Sequence, residues 1–141
     1  MKNQFLIFLL VMVLGCNAKP EPINYTQDAC YFCKMTIVDR FHAAEIVTKK
    51  SKVYKFDAIE CMVNFLKDFD NSNVALFLSN NYQEPEILID ATQATFLISK
   101  NITSPMGAFL SAFKNLNEAQ KTLDEKGGKL YTWSELLDHL N

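Results

Sequence analysis

Glycine is scarce here: four residues in 141, too few and too scattered to build a phosphate cradle. The sequence has no P-loop, no dinucleotide-binding fingerprint, no G-x-S-x-G elbow and no Ser-His-Asp order. Nothing nominates a catalytic acid or base, and the chain reads as a protein without enzymatic turnover. Excess positive charge is also missing. Fourteen Lys and Arg against sixteen Asp and Glu leave a net charge of −2, which offers nucleic acid no basic footprint. Long apolar runs are absent too. The run at residues 5–14 (FLIFLLVMVL) has ten residues, short of the roughly 20 that cross a bilayer as a helix. The length holds one compact domain and not two ordinary ones.

That apolar run instead suits the h-region of a signal peptide, with Lys2 as its positive flank. It ends in Val13-Leu14-Gly15-Cys16, a small residue directly before a cysteine. This resembles the bacterial lipobox, in which Cys16 becomes the first mature residue and carries the lipid. The alternative is an unmodified signal with an incidental cysteine. Residues 1–15 are therefore expected to be a lipoprotein signal, and residues 16–28, polar and holding Pro20 and Pro22, a flexible tether. The domain proper is expected over 29–141. Diacyl or triacyl attachment would anchor it stably to a bacterial membrane, facing the periplasm or the cell exterior.

Three cysteines remain beyond the anchor: Cys30, Cys33 and Cys61. An odd count in an exported protein flags a free thiol or a metal ligand. Two of them fall in Cys30-Tyr31-Phe32-Cys33-Lys34-Met35, which puts two thiols and a thioether within six residues. Soft sulfur donors select Cu(I), zinc or iron–sulfur clusters. Zinc and iron–sulfur sites use Cys and His and seldom Met, so Met35 points first to cuprous copper. The competing reading is a C-x-x-C disulfide with Met35 as core filler. A thioredoxin-type redox pair needs a helix after its cysteines to lower the thiol pKa. Thr36-Ile37-Val38 is β-branched and reads as extended instead.

Downstream, residues 43–48 (AAEIVT) and 52–56 (KVYKF) form a hairpin around Lys49-Lys50-Ser51. Asp57 then reads as a helix cap, with Glu60 at the capping-box position. Ile59, Met62, Val63, Leu66 and Phe69 carry the buried stripe. Cys61 reads as a small core residue of that helix, with a site role as the alternative. Residues 74–78 read as a buried strand, and residues 86–90 read as a further strand. Residues 95–99 and 108–113 pair as a second hairpin, with a helix competing for 108–113. Asn117 would cap a helix over 118–126, ended by Gly127. Residues 129–132 form a strand, and a short helix follows from Ser134. Residues 43–78 and 95–132 thus both read β-β-α-β. The expected fold is α+β, with duplicated ββαβ units forming small mixed sheets packed with helices.

The second hairpin's turn holds Ser104-Pro105-Met106-Gly107, a shaped loop rather than core. Met106 is either a second thioether folding over the cysteine pair or a surface-loop methionine. His42 reads as a surface residue, with a ligand role the alternative. His139 reads as solvated, and Asp90 as a strand-end residue.

With these pieces placed, the chain resembles the NosL family of copper-chaperone lipoproteins associated with nitrous oxide reductase. The resemblance is carried by Cys30-Tyr31-Phe32-Cys33-Lys34-Met35-Thr36-Ile37, Ala43-Ala44-Glu45-Ile46, Val53-Tyr54-Lys55-Phe56-Asp57 and Cys61-Met62. Asp90-Ala91, Ser104-Pro105-Met106-Gly107 and residues 128–133 add to it. It implies a duplicated ββαβ fold related in shape to organomercurial lyase. It also implies Cu(I) binding and delivery of copper to maturing nitrous oxide reductase through a membrane-bound assembly complex. By motif, Cys33 and Met35 are the first ligands, and Cys30 and Met106 the second. Two alternatives stand beside this reading: a thiol–disulfide protein working through Cys30 and Cys33, and a carrier for another cuproenzyme.

Overall fold

The computed structural model describes residues 17–141, so the expected signal segment and Cys16 lie outside the described residues. Among the described residues, the fold has two small sheets and three α-helices. The first sheet has strands β1 (Ala44–Thr48), β2 (Val53–Phe56), β3 (Val74–Asn81) and β4 (Glu84–Asp90), in the order β2-β1-β3-β4. The second has β5 (Thr95–Ile98), β6 (Leu110–Phe113) and β7 (Lys129–Tyr131), in the order β6-β5-β7. In each unit the first strand is central and pairs with the two that follow it, one on either side. This is the duplication expected from the sequence. All five ladders are antiparallel.

Helix α1 (Ile59–Leu66) crosses from β2 to β3, and α2 (Leu116–Lys126) makes the equivalent crossing from β6 to β7. Helix α3 (Trp133–Leu140) closes the chain. The apolar spacing of α1 buries Ile59, Met62, Val63 and Leu66. The helix stops before Phe69, which packs against the core from the following turn. The α2 cap is Asn115 rather than Asn117; its side chain accepts from Glu118 N. Thr132 caps α3 with a reciprocal Glu135 contact, so the helix starts at Trp133, one residue ahead of the expected start. The ring of Trp133 lies 5.7 Å from Phe77 of β3 and 5.8 Å from Phe96 of β5, and so fills the space between the sheets. The β1–β2 turn, lacking glycine, takes its positive φ at Ser51.

All five residues of β1 are buried, because both faces of the first sheet are covered. Helix α1 covers one face. The polar segment expected to be a tether contributes to the other from Glu21 onward. Glu21 N donates to Glu45 Oε1 at 3.0 Å, Lys55 Nζ to the Pro22 carbonyl at 2.8 Å, and Tyr25 Oη to Asn80 Oδ1 at 3.1 Å. These bonds lead the chain along the sheet to the cysteine loop.

Candidate metal centre

The Cys30–Met35 segment is a tight loop closed at its base. Ala29 and Thr36 form an antiparallel bridge. Cys30 N donates to the Met35 carbonyl at 2.8 Å, and Lys34 N to the Cys30 carbonyl at 3.0 Å, with Lys34 in the left-handed region. No helix follows Cys33, as the β-branched residues after it predict. The loop rides on β2: Tyr31 N donates to the Lys55 carbonyl at 2.8 Å, and the Tyr31 ring packs 4.7 Å from Tyr54. Strand β2 leads straight into Asp57 and the first turn of α1. The thiol loop and the helix start are therefore held side by side.

This juxtaposition assembles Cys30, Cys33, Asp57 and Cys61. One donor atom from each lies within 4.8 Å of all the others. The three cysteines are free thiols. Cys30 and Cys61 are buried, whereas Cys33 is partly open to solvent.

One expectation needs correcting here, and a second needs extending. Asp57 does not cap α1. Ala58 takes the extended N-cap geometry, so Asp57 lies one residue outside the helix; buried, it accepts a hydrogen bond from Cys33 Sγ at 3.4 Å. Cys61 is buried as expected of a core residue, but it is a member of the thiol cluster. A signal for both was present, since Asp57 and Cys61 are four residues apart across a helix start and so share a side.

The thiols are electrostatically unequal. The Cys61 thiol and the nearby Cys33 and Asp57 backbone N–H groups lower Cys30 to about 6. The hydrogen bond Cys61 gives to Cys30, together with burial, pushes Cys61 up. Burial also raises Cys33. The cluster therefore favours losing its first proton at Cys30, and a bound cation would displace the remaining protons.

Around the thiols the surface is apolar and exposed. Met35 is 55% accessible, so it is not core filler, and Tyr31 and Phe32 are also open. Met106 is 42% accessible in a loop that turns through Gly107 at positive φ. Ser104 Oγ and Ala108 N of this loop both reach Glu60 Oε1, at 3.2 Å each. Glu60 is therefore occupied by the distant loop rather than by a capping box. The result is a cleft of about 310 Å³ lined by Phe32, Glu60, Cys61, Asn64, Met106 and Ala108, among others. Met106 and Cys61 thus share one cleft.

The two histidines lie apart from this centre. His42 is buried, against its expected surface position. Its Nδ1 is 2.9 Å from Asp39 Oδ1 and its Nε2 is 3.1 Å from Ser111 Oγ of β6. Nδ1 is held within the segment before β1, and Nε2 joins that segment to the second unit. His139 is exposed and stacks 4.9 Å from Tyr131.

The fold and the cluster define a class: a duplicated ββαβ protein with a soft, thiol-rich metal centre beside an open cleft. The chain belongs to the NosL family, whose sequence profile matches residues 22–140. It is similar to the crystal structure of the copper chaperone NosL from Shewanella denitrificans, with a TM-score of 0.73 and 25% identity over 84% of this chain and 96% of that one. No curated protein matches the sequence.

Proposed function

We propose that this protein is a copper carrier without turnover, holding one Cu(I) and passing it to a recipient protein. The observation that carries the reading is the thiol cluster itself: Cys30 and Cys33 are free thiols close enough to share one ion, in the loop that also carries Met35, with Cys33 on the open side. Cys30 and Cys33 supply thiolates, and Met35 and Met106 supply thioethers from the exposed rim. Soft donors of this kind favour Cu(I) over harder ions. A centre closed on its inner side and open on its outer side retains copper against water while admitting a partner's ligands. The similarity to a copper chaperone supports the same reading.

On this reading Cys16 carries a lipid that tethers the domain to the membrane, facing the periplasm or the cell exterior. The recipient is maturing nitrous oxide reductase, reached through its membrane-bound assembly complex. Family membership supports that choice.

Anaerobic titration of the reduced protein against a chromophoric Cu(I) chelator tests the binding. One equivalent is expected, with at least about a hundredfold loss in Cys33→Ala, since a thiolate ligand is removed. Unchanged affinity in that variant would overturn the reading. Delivery is tested by the copper content of nitrous oxide reductase in a deletion strain, and the anchor by mass measurement of the mature N-terminus.

A thiol–disulfide role draws some support from the lowered Cys30 thiol. That residue is buried, however, and no helix dipole activates the pair. Efficient disulfide exchange, indifferent to copper, would restore this alternative.

A further inference from the structure

We propose that the inner face of the centre is also a zinc-type site, formed by Cys30, Cys33, Cys61 and Asp57, which holds a divalent ion when no copper is bound. The inference shares Cys30 and Cys33 with the carrier reading but does not depend on it.

Geometry is the first support. A tetrahedral zinc ion has Zn–S bonds near 2.3 Å and Zn–O bonds near 2.1 Å, so its donors stand about 3.6–3.8 Å apart. Here all four donor atoms lie within 4.8 Å of one another, and Cys33 Sγ is 3.4 Å from Asp57 Oδ1. Small side-chain adjustments would close the set around one ion.

Chain layout is the second support. One pair of donors comes from a tight loop with two residues between its cysteines. The other comes from the start of a helix, with three residues between Asp57 and Cys61. Structural zinc sites commonly pair two such short-spaced segments.

The third support is Asp57, which Cu(I) does not explain. Its carboxylate is buried, caps no helix, and reaches a thiol of the cluster. A hard oxygen donor adds little to cuprous copper, whereas Zn(II) accepts carboxylate and thiolate together. The copper reading draws instead on Met35 and Met106, which this inner set does not need. The two ions therefore contend for Cys30 and Cys33 while differing in their remaining donors.

The test uses the reduced protein, Zn(II) alone, and a chromophoric zinc chelator in the absence of copper. We expect one equivalent bound, and a tetrahedral thiolate spectrum when Co(II) replaces zinc. Asp57→Asn, nearly isosteric, should weaken zinc at least about tenfold more than it weakens Cu(I), because it removes a zinc donor but only a hydrogen-bond partner of the copper ligand Cys33. Cys61→Ser should weaken zinc more, and Met35→Leu should leave zinc unchanged while weakening copper. Circular dichroism of the metal-free variants verifies their fold. The wild-type Co(II) spectrum is independent of any variant. No stoichiometric zinc binding, an octahedral Co(II) spectrum, or full zinc affinity in both Asp57→Asn and Cys61→Ser would overturn the inference. Copper binding without zinc binding would sink this inference alone. Zinc binding without copper binding would sink the carrier reading alone.

Discussion

The carboxylate of Glu60 accepts a hydrogen bond from the backbone N–H of Ala108 across 48 residues of sequence, at 3.2 Å. It holds the Met106 loop against the helix that carries Cys61, and Ser104 Oγ adds a second bond to the same oxygen. Glu60→Ala would leave both donors without their acceptor, at a cost of about 1–3 kcal/mol. Glu60→Gln keeps an acceptor oxygen and should stay close to wild type. Urea unfolding of the two variants measures the difference. On the carrier reading, the alanine variant should also bind Cu(I) more weakly.

Met35 and Met106 are exposed, so replacing their sulfur with carbon should have little effect on folding. Met→Leu is nearly volume-conserving, and each variant should remain within about 1 kcal/mol of wild type. If the thioethers are ligands, Cu(I) affinity should fall about tenfold or more in each and further in the double variant. Chelator competition on the double variant is decisive: wild-type affinity would remove both residues from the ligand set.

The unequal thiols predict how metal affinity depends on pH. Cys30, lowered to about 6, is already a thiolate at neutral pH and adds little slope above it. Cys33 and Cys61 are raised and still protonated there, so a metal that uses them must expel their protons. Apparent affinity should therefore rise with pH between about 6.5 and 8.5, by roughly tenfold per pH unit for each proton displaced. Titrations corrected for the chelator's own protonation measure this slope. A flat profile would mean that neither raised thiol is a ligand.

Glu45 predicts a pH effect on stability in the opposite direction. It is fully buried on β1 with Oε2 unpaired, and burial raises its carboxyl from 4.5 to about 7. Between about pH 4.5 and 7 the folded protein keeps a proton that the unfolded chain has released. Stability from this group therefore falls as pH rises through that window and stays low above it. Glu45→Gln should remove the loss, on the order of 3 kcal/mol at pH 8 relative to pH 4.5. The difference between the wild-type and variant unfolding curves across pH isolates this residue from the other carboxylates. Parallel curves would contradict the assignment.

How much of the site was legible beforehand varies residue by residue. The Cys30–Met35 motif announces soft-metal chemistry because donor type is a property of the side chain and six residues form a local loop. The repeat was legible because strand and helix periodicities are local too. Asp57, Glu60 and His42 were misplaced for a shared reason. Local rules assign an acid before a helix to its cap and a lone histidine to the surface. Each of these side chains is instead taken by a partner between 24 and 69 residues away.

The amino-acid sequence by itself determined the kind of chemistry, through its cysteine thiols, and the two ββαβ units, through hydrophobic spacing. Only the tertiary structure decided which donors meet. The cysteine loop docks on the edge of β2, β2 ends at Asp57, and the next turn presents Cys61. The physical reason is that donor softness resides in single residues, whereas a coordination geometry exists only once a long chain closure has been made and its entropy offset by burial of the core.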